Sequence, residues 1–100
     1  MKTFVLLTKL PAGASGTISD RKRLGRDWLE QVKHKCPGVK FIAHYAILGR
    51  FDFLDIYEAP DEETAAKVSM ISLSNGAFEA ESLFAIPYKR FLELTEEISS

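Results

Sequence analysis

The stretch LGRFDFLDIYEAPD, residues 48–61, contains the loop, the returning strand and the exit of a β-hairpin, followed by the start of a helix. Gly49 and Arg50 make a two-residue loop with glycine first, the order that a type II′ hairpin turn requires, and residues 52–58 return as a strand. Asp61 is followed by two glutamates, which is typical of a helix N-terminus with an aspartate cap and acids in the first turn. The stretch therefore predicts a β-hairpin that leads directly into a helix.

The segments on either side of this hairpin complete a βαββαβ order with one further helix. Residues 2–9 are apolar and β-branched and predict the first strand, residues 39–48 predict the second, and residues 77–86 predict the fourth. Right-handed crossovers between such elements lead to an α+β, ferredoxin-like fold, in which a four-stranded antiparallel sheet carries helices on one face. The first and third strands are then central.

Three helices are predicted from capping residues and apolar spacing. The first starts at a cap provided by Thr17, Ser19 or Asp20 and runs to about Cys36. The second begins at the acidic cap described above and ends near the sequence LSNG, and Pro87 opens the third. The third helix carries one stripe at helical spacing, made of Tyr88, Phe91, Leu92, Thr95 and Ile98.

The predicted strands are apolar on both faces, which a sheet with one wet face would not be. Two helices cover only one face, so the other would leave a large apolar patch in water. In a chain this short, the same face of a second copy is the simplest cover, and we expect a homodimer with its sheets face to face. The alternating pairs that carry this expectation are Phe4 and Leu6 against Val5 and Leu7, and Leu54 and Ile56 against Phe53 and Tyr57.

The composition is that of one globular domain, residues 1–100, with 46% hydrophobic residues, 27% charged residues and a net charge of −1. This balance argues against a disordered chain and against a membrane protein. The basic run at residues 20–26 is followed by Asp27 and Glu30, so a solvated helix face is favoured over a nucleic-acid-binding patch. The N-terminal apolar run is too short for a signal peptide, which favours a cytoplasmic protein.

Cofactor and metal chemistry have little support in the sequence. Cys36 is the one cysteine, so neither a disulfide nor a cysteine-ligated metal site is available. One histidine and one carboxylate leave a metal ion short of ligands unless a partner chain supplies the rest. We therefore expect no cofactor and no metal.

Four segments in order resemble the GYD-domain family, which is named for a Gly-Tyr-Asp signature at the hairpin. The resemblance implies membership of the dimeric α/β-barrel superfamily, which includes monooxygenase-like proteins, isomerase-like proteins and ligand-sensing domains of transcription regulators. It thus implies a fold and a dimer, whereas GYD proteins are largely without an assigned activity. The segments are FVLLTKL at residues 4–10, LGRFD at 48–52, YEAPDEETAAK at 57–67 and ESLFAIPYKRF at 81–91.

The signature itself is present with one change. Gly49 and Asp52 match it, but Phe51 stands where the family usually has tyrosine, so no role that needs a phenolic hydroxyl carries over to that position. Gly49 is expected to supply the positive φ of the turn, and Asp52 is expected to cap amides of the loop.

Asp55 is an acid in an otherwise apolar strand and needs a partner. A two-residue hairpin loop sets His44 opposite Asp55, at a distance where an imidazole and a carboxylate share a proton and the histidine pKa rises. Leu54 and Ile56 are then expected under the helices, with the pair lining a cavity between two sheets. A three-residue loop would instead set Tyr45 opposite Asp55 and turn His44 toward the helices.

Three functions are compatible with these residues. The leading one is a small dimeric binding or sensing module that holds an apolar or aromatic molecule against His44, Tyr45, Phe53, Asp55 and Tyr57. The second is a cofactor-free enzyme of the monooxygenase or isomerase kind, with His44 and Asp55 as catalytic candidates that move a proton. The third is a purely structural or accessory dimer, in which the pair only determines the register of the hairpin.

Overall fold

The computed structural model describes residues 1–11 and 18–99, with side chains from residue 22 onward in the first helix. Of the three candidate caps of that helix, Thr17 lies outside the described residues, and Ser19 and Asp20 fall inside the helix. In chain order the elements are β1 (Lys2–Lys9), α1 (Ile18–Lys35), β2 (Lys40–Ala46), β3 (Phe53–Ala59), α2 (Glu62–Ser74), β4 (Glu79–Ala85) and α3 (Tyr88–Ser99).

The four strands form one antiparallel sheet in the order β2-β3-β1-β4. The predicted central positions of β1 and β3 are confirmed, and so is the ferredoxin-like α+β fold. Asp61 caps α2 as predicted, because its carboxylate accepts hydrogen bonds from the backbone N of Thr64 at 2.8 Å and from the Thr64 hydroxyl at 2.7 Å. Gly76, with φ of 98°, follows the C-cap residue Asn75 where the chain turns toward β4.

The core lies between the sheet and helices α1 and α2. Phe4 and Tyr57 stack on neighbouring central strands with ring centroids 5.6 Å apart. Val32 of α1 and Val68 of α2 are both fully buried against this layer. Burial of such side chains stabilises the fold by roughly 1.5–3 kcal/mol each.

The hairpin of β2 and β3 has the predicted register but a longer loop. His44 is opposite Asp55, while the last backbone hydrogen bond joins the N of Ile47 to the carbonyl oxygen of Asp52 at 2.9 Å. Residues 48–51 therefore form a four-residue loop, in place of the two-residue loop predicted at Gly49 and Arg50. Gly49 has φ of 126°, which confirms the expectation that glycine is needed there.

The expected assignment of the two sheet faces is wrong. Asp55 is 2% exposed and lies with Tyr57 on the face that packs on the helices, whereas Leu54 and Ile56 lie on the opposite face and are half-buried. The reason is that both alternating sets of side chains in β3 are largely apolar, so their polarity does not indicate which set faces the helices. His44 is thus opposite Asp55 and also on the helix side of the sheet, a combination that neither loop length predicted.

The opposite face of the sheet, here called the open face, has no helix over it in the described part of the chain. Each of the four strands contributes two apolar side chains to this face. Helix α3 also stands apart, since none of its residues is buried and none of its Cα atoms lies within 8 Å of a Cα atom of another described element. The apolar residues of the open face are Val5, Leu7, Ala43, Tyr45, Leu54, Ile56, Leu83 and Ala85.

Candidate functional site

His44 and Asp55 form a side-chain pair across the β2–β3 hairpin. The His44 Nδ1 atom contacts the Asp55 Oδ1 atom. The Asp55 side chain is 3% exposed, whereas that of His44 is 61% exposed. The carboxylate is therefore reached from solvent through the imidazole, which has its second ring nitrogen turned away from Asp55.

Burial raises the pKa of Asp55 above its ordinary value of 3.8, because the charged carboxylate has lost most of its water. The charge of His44 and its hydrogen bond act in the opposite direction and lower the pKa, but they do not outweigh the burial. Asp55 is thus a carboxyl group that holds a proton more tightly than an exposed aspartate does.

A β-bulge in β2 places Phe41 on the same side of the sheet as His44. Phe41 is opposite Tyr57 and His44 is opposite Asp55, so three positions of β2 span two of β3, with the irregularity at Ile42. Without the extra residue, two side chains three positions apart would point to opposite faces. The bulge therefore brings Phe41 and His44 to the same face.

A cavity of about 500 Å³ lies between α1 and this part of the sheet. Val32 of α1 packs in the core, whereas the part of the helix from Lys22 to Leu29 borders the cavity. Its volume falls within the ~300–1,000 Å³ range of ligand sites. Among the described residues its lining is Thr8, Leu10, Lys22, Leu24, Gly25, Arg26, Trp28, Leu29, Phe41, His44, Phe53, Asp55, Ser72, Asn75 and Ala77.

Aromatic rings form one wall of the cavity. Trp28 meets Phe41 edge to face, with ring centroids 5.4 Å apart, and the imidazole of His44 stacks on Phe53 at 5.7 Å. Such arrangements fix the rings in place and present flat apolar surface to an occupant. Asp55 and Ser72 are the buried polar members of the lining.

The rim of the cavity is formed by exposed residues of α1, namely Lys22, Gly25 and Arg26. Gly25 leaves an opening, since a Cβ atom built on it meets no atom within 4 Å. The entrance is therefore bordered on the α1 side by the cations Lys22 and Arg26 and by the open space at Gly25.

Two buried N–H groups of the lining have no acceptor among the described residues. They are the indole Nε1 of Trp28 and the amide Nδ2 of Asn75. The other end of the Asn75 amide is occupied, because its Oδ1 accepts a hydrogen bond from Gln31 Nε2 at 3.0 Å. Unmade hydrogen bonds of this kind cost about 1–3 kcal/mol each, and neither nitrogen has surface that is open to the cavity.

Three of the five expected ligand-binding residues line this cavity and two do not. His44, Phe53 and Asp55 belong to the lining. Tyr57 is fully buried in the core with its hydroxyl 3.3 Å from the Ser82 hydroxyl, and Tyr45 is 57% exposed on the open face. The cavity thus lies beneath the helix and not between two sheets.

Sequence reasoning missed the helix side of the site. The sequence predicts only that Trp28 and Gly25 lie within the first helix and that Asn75 lies near the end of the second. The basic run that contains Lys22 and Arg26 predicts only a solvated helix face. The sequence offers two signals, a tryptophan next to a basic run and a glycine inside an otherwise regular helix. Neither signal indicates a cavity unless the position of α1 relative to the sheet is known.

The signature residues hold the hairpin loop against the end of β1. The Asp52 carboxylate accepts a hydrogen bond from the Leu10 backbone N at 2.7 Å, and the Asp52 backbone N donates to the Thr8 carbonyl oxygen at 2.8 Å. The guanidinium of Arg50 lies 5.6 Å from the ring centre of Phe51. The amide that Asp52 caps therefore belongs to the segment after β1, whereas the sequence predicts a cap within the hairpin loop. Because Thr8 and Leu10 line the cavity, these contacts also shape one of its walls.

Metal-ligand clusters and membrane-spanning helices are both absent from the part of the chain that the structure describes. No group of three or more histidine, cysteine, aspartate or glutamate side chains there is arranged to hold a metal ion. No helix in this part combines the length and the apolar character needed to cross a bilayer.

Comparison with known proteins identifies relatives over nearly the whole chain. The sequence model of the GYD domain matches residues 4–95. The "glutamine synthetase and cystathionine beta-lyase binding protein" of Thermus thermophilus is 33% identical over 88 residues, which cover 87% of this chain and 90% of that protein.

Two solved structures show the same fold at low sequence identity. TTHA0845 from Thermus thermophilus has a TM-score of 0.59 and 22% identity, and the match covers 87% of this chain and 95% of that one. At3g17210 from Arabidopsis thaliana has a TM-score of 0.58 and 10% identity, with the same coverage of 87% and 95%.

Proposed function

Because the chain belongs to the GYD domain family, we propose that it is a binding protein that holds a small apolar or aromatic molecule in the cavity between α1 and the sheet. The observation that carries the proposal is a cavity of about 500 Å³ with the His44–Asp55 pair in its wall. A wall that is mostly apolar, with a few convergent polar groups, is typical of ligand sites.

A ligand role explains this pair better than a purely structural one. A pair needed only for hairpin register would not require a cavity beside it, since the bulge and the Asp52 contacts already constrain the hairpin. The imidazole is 61% exposed and stacks on Phe53, so an aromatic molecule entering the cavity would meet both rings. The buried Asp55 then holds the imidazole in one orientation.

Gly25 allows the cavity to be blocked without disturbing the core. Gly25→Phe would place a large ring where a Cβ atom meets nothing within 4 Å, and Gly25→Ala is the matched control that leaves the cavity open. Calorimetric titration with naphthylethanol, a neutral aromatic probe, should show binding to the unmodified protein and to Gly25→Ala but not to Gly25→Phe. Equal binding by all three, or by none, would refute the proposal.

The unmodified protein also offers two direct readouts. Native mass spectrometry of freshly purified protein should show a co-purified small molecule that is absent from Gly25→Phe. Trp28 is the one tryptophan of the chain and lies in the cavity wall, so its emission should change when a non-fluorescent ligand displaces water there.

The proposal includes a homodimer formed through the open face. Six large apolar residues lie there without cover from the described part of the chain, and contiguous apolar patches of this kind mark interaction surfaces. The exposed stripe of α3, in which Tyr88 is 73% and Ile98 is 85% exposed, is a second surface that the same partner copy would cover. The six residues are Val5, Leu7, Tyr45, Leu54, Ile56 and Leu83.

A second candidate function is binding to partner enzymes, and it is supported by the relative at 33% identity. That protein is named for binding glutamine synthetase and cystathionine beta-lyase, and this chain covers 90% of its length. Surface-immobilised chain should then bind purified glutamine synthetase or cystathionine beta-lyase in biolayer interferometry. The absence of binding to both enzymes would restrict the role to small ligands.

A further inference from the structure

We propose that the molecule held in this cavity is a phenol or an enol, and that its hydroxyl group donates a hydrogen bond to the Nε2 atom of His44. Asp55 is a positioning residue in this arrangement, because its contact with Nδ1 determines which ring nitrogen accepts. This inference rests on the proposed function, since it names the class of ligand for the same cavity. Three features of the lining support it, namely the pairing of Asp55 with Nδ1, the lack of a protein partner for Nε2, and the aromatic wall.

The first feature is the contact of His44 Nδ1 with Asp55 Oδ1. A single proton between these atoms belongs to the more basic one, and an imidazole nitrogen ordinarily binds a proton more tightly than a carboxylate does. Burial raises the pKa of Asp55 and narrows this difference, while the charge of His44 and its hydrogen bond lower that pKa again. Nδ1 therefore carries the proton and donates to Asp55. Nε2 of the neutral imidazole is then an acceptor.

The second feature is the other ring nitrogen. Nε2 has no hydrogen-bond partner within the described part of the chain, and the His44 side chain lines the cavity while it is 61% exposed. The stack on Phe53, with ring centroids 5.7 Å apart, and the contact with Asp55 both hold the imidazole in place. An occupant that donates a hydrogen bond can therefore meet Nε2 without displacing a protein group.

The third feature is the wall, which selects among the possible donors. Trp28, Phe41 and Phe53 provide ring surface, and such surface favours a flat body. An ammonium donor would lose its water against this lining, and the one carboxylate among the described lining residues, Asp55, is already paired with His44. A phenol or an enol brings a neutral hydroxyl group on a flat body. Its O–H is more acidic than that of an alcohol and so forms a stronger hydrogen bond to an imidazole nitrogen.

Three flat bicyclic probes test the direction of this hydrogen bond. Naphthol donates through its hydroxyl group, methoxynaphthalene has the same rings but no donor, and isoquinoline offers only an acceptor nitrogen. In calorimetric titration of the unmodified protein at neutral pH, naphthol should bind about tenfold more tightly than methoxynaphthalene, as expected for the loss of one hydrogen bond. Isoquinoline should bind no more tightly than methoxynaphthalene.

Two histidine variants assign the preference to one side chain. His44→Phe keeps a ring against Phe53 but has no acceptor, so its affinity for naphthol should fall to that for methoxynaphthalene. His34→Phe is the matched control, because His34 is an exposed histidine of α1 outside the described lining. This control should keep the tenfold preference of the unmodified protein.

Nitrogen NMR of histidine-labelled protein reads the tautomer without any ligand. At a pH where the imidazole is neutral, His44 should have a protonated Nδ1 and an unprotonated Nε2. Naphthol should then shift the Nε2 resonance, whereas methoxynaphthalene should leave it nearly unchanged. In Asp55→Asn the amide can donate to Nδ1 or accept from it, so both tautomers should be populated and the preference for naphthol should shrink.

The outcomes separate the ligand class from the existence of the site. Equal affinity for naphthol and methoxynaphthalene, tightest binding of isoquinoline, or a proton on Nε2 in the free protein would overturn the assignment and leave the cavity a binding site. A preference for naphthol that persists in His44→Phe would refute the role of Nε2. If neither these probes nor naphthylethanol bind, the proposed function fails and this inference fails with it. If naphthylethanol binds and naphthol does not, this inference alone fails.

Discussion

The carboxylate of Asp52 lies 2.7 Å from the backbone N of Leu10 and joins the hairpin loop to the first residue after β1. The two residues are 42 positions apart in sequence, so this hydrogen bond fixes a long-range contact at the edge of the cavity. A further link, from Lys9 Nζ to the Arg50 carbonyl oxygen at 3.1 Å, lies beside it. The signature aspartate thus acts by positioning two loops.

Removing this contact should destabilise the fold. We expect Asp52→Ala to lower the free energy of unfolding by about 1.5–3 kcal/mol, because a charged acceptor is lost and the Leu10 amide is left half-buried. Asp52→Asn keeps an acceptor oxygen and should cost less. Urea denaturation of both variants measures the difference, and equal losses would show that the hydrogen bond itself matters little.

The raised pKa of Asp55 predicts a specific pH dependence of stability. A carboxyl group whose folded pKa lies above its unfolded value near 3.8 contributes stability that is fully present below that value. The contribution is lost as the pH rises through the higher folded pKa. Asp55→Asn should therefore have a flatter free energy of unfolding than the unmodified protein from about pH 3.8 upward. Parallel pH profiles of the two proteins would contradict this.

His44 should act on the pKa of Asp55 in a predictable direction. His44→Phe keeps a ring to stack on Phe53 but removes the positive charge and the hydrogen bond, both of which lower the pKa of Asp55. The pKa of Asp55, followed by NMR through its side-chain carboxyl carbon, should therefore rise further in His44→Phe. His34→Phe changes an exposed histidine elsewhere on the surface and should leave it unaltered. A lower pKa of Asp55 in His44→Phe would mean that the pair does not interact as described.

Gly25→Ala should stabilise the protein. Gly25 is exposed within α1, and glycine in a helix interior is about 0.8–1.0 kcal/mol less favourable than alanine. The added Cβ atom meets nothing within 4 Å, so no steric cost opposes this gain. Thermal unfolding should show a higher midpoint for Gly25→Ala. A lower midpoint would imply that the glycine has a conformational role in the helix.

A charge on the open face should dissociate the proposed homodimer. Leu54→Glu places a carboxylate in the middle of that face, while Leu48→Glu at the fully exposed hairpin loop is the matched control. Light scattering should give twice the chain mass for the unmodified protein and Leu48→Glu, and the chain mass for Leu54→Glu. Phe53 is unsuitable for this test because its side chain lines the cavity. A folded monomer of the unmodified protein would contradict the dimer.

The order of elements and the register of the hairpin followed from the sequence by itself. Apolar and β-branched runs in the strands, glycine in the loop and the capping signature at Asp61 are local features, and local features depend on residues a few positions apart. The pairing of His44 with Asp55 needed only the offset between two adjacent strands, and this offset is the same for a loop of two residues and for the observed loop of four. The family resemblance rested on the same local segments and is supported by the match over residues 4–95.

Only the tertiary structure decided which face of the sheet the pair occupies and what surrounds it. Both faces of β3 are apolar, so no pattern within the strand could choose between them, and the bulge at Ile42 added a residue that alternation cannot anticipate. The cavity is lined by residues of all four regions that meet there, namely the end of β1, the hairpin strands, α1 and the end of α2, so it forms only when these elements pack together. Trp28, Asn75 and the rim cations join His44 and Asp55 at one site through packing between elements far apart in sequence, and such packing has no local signature.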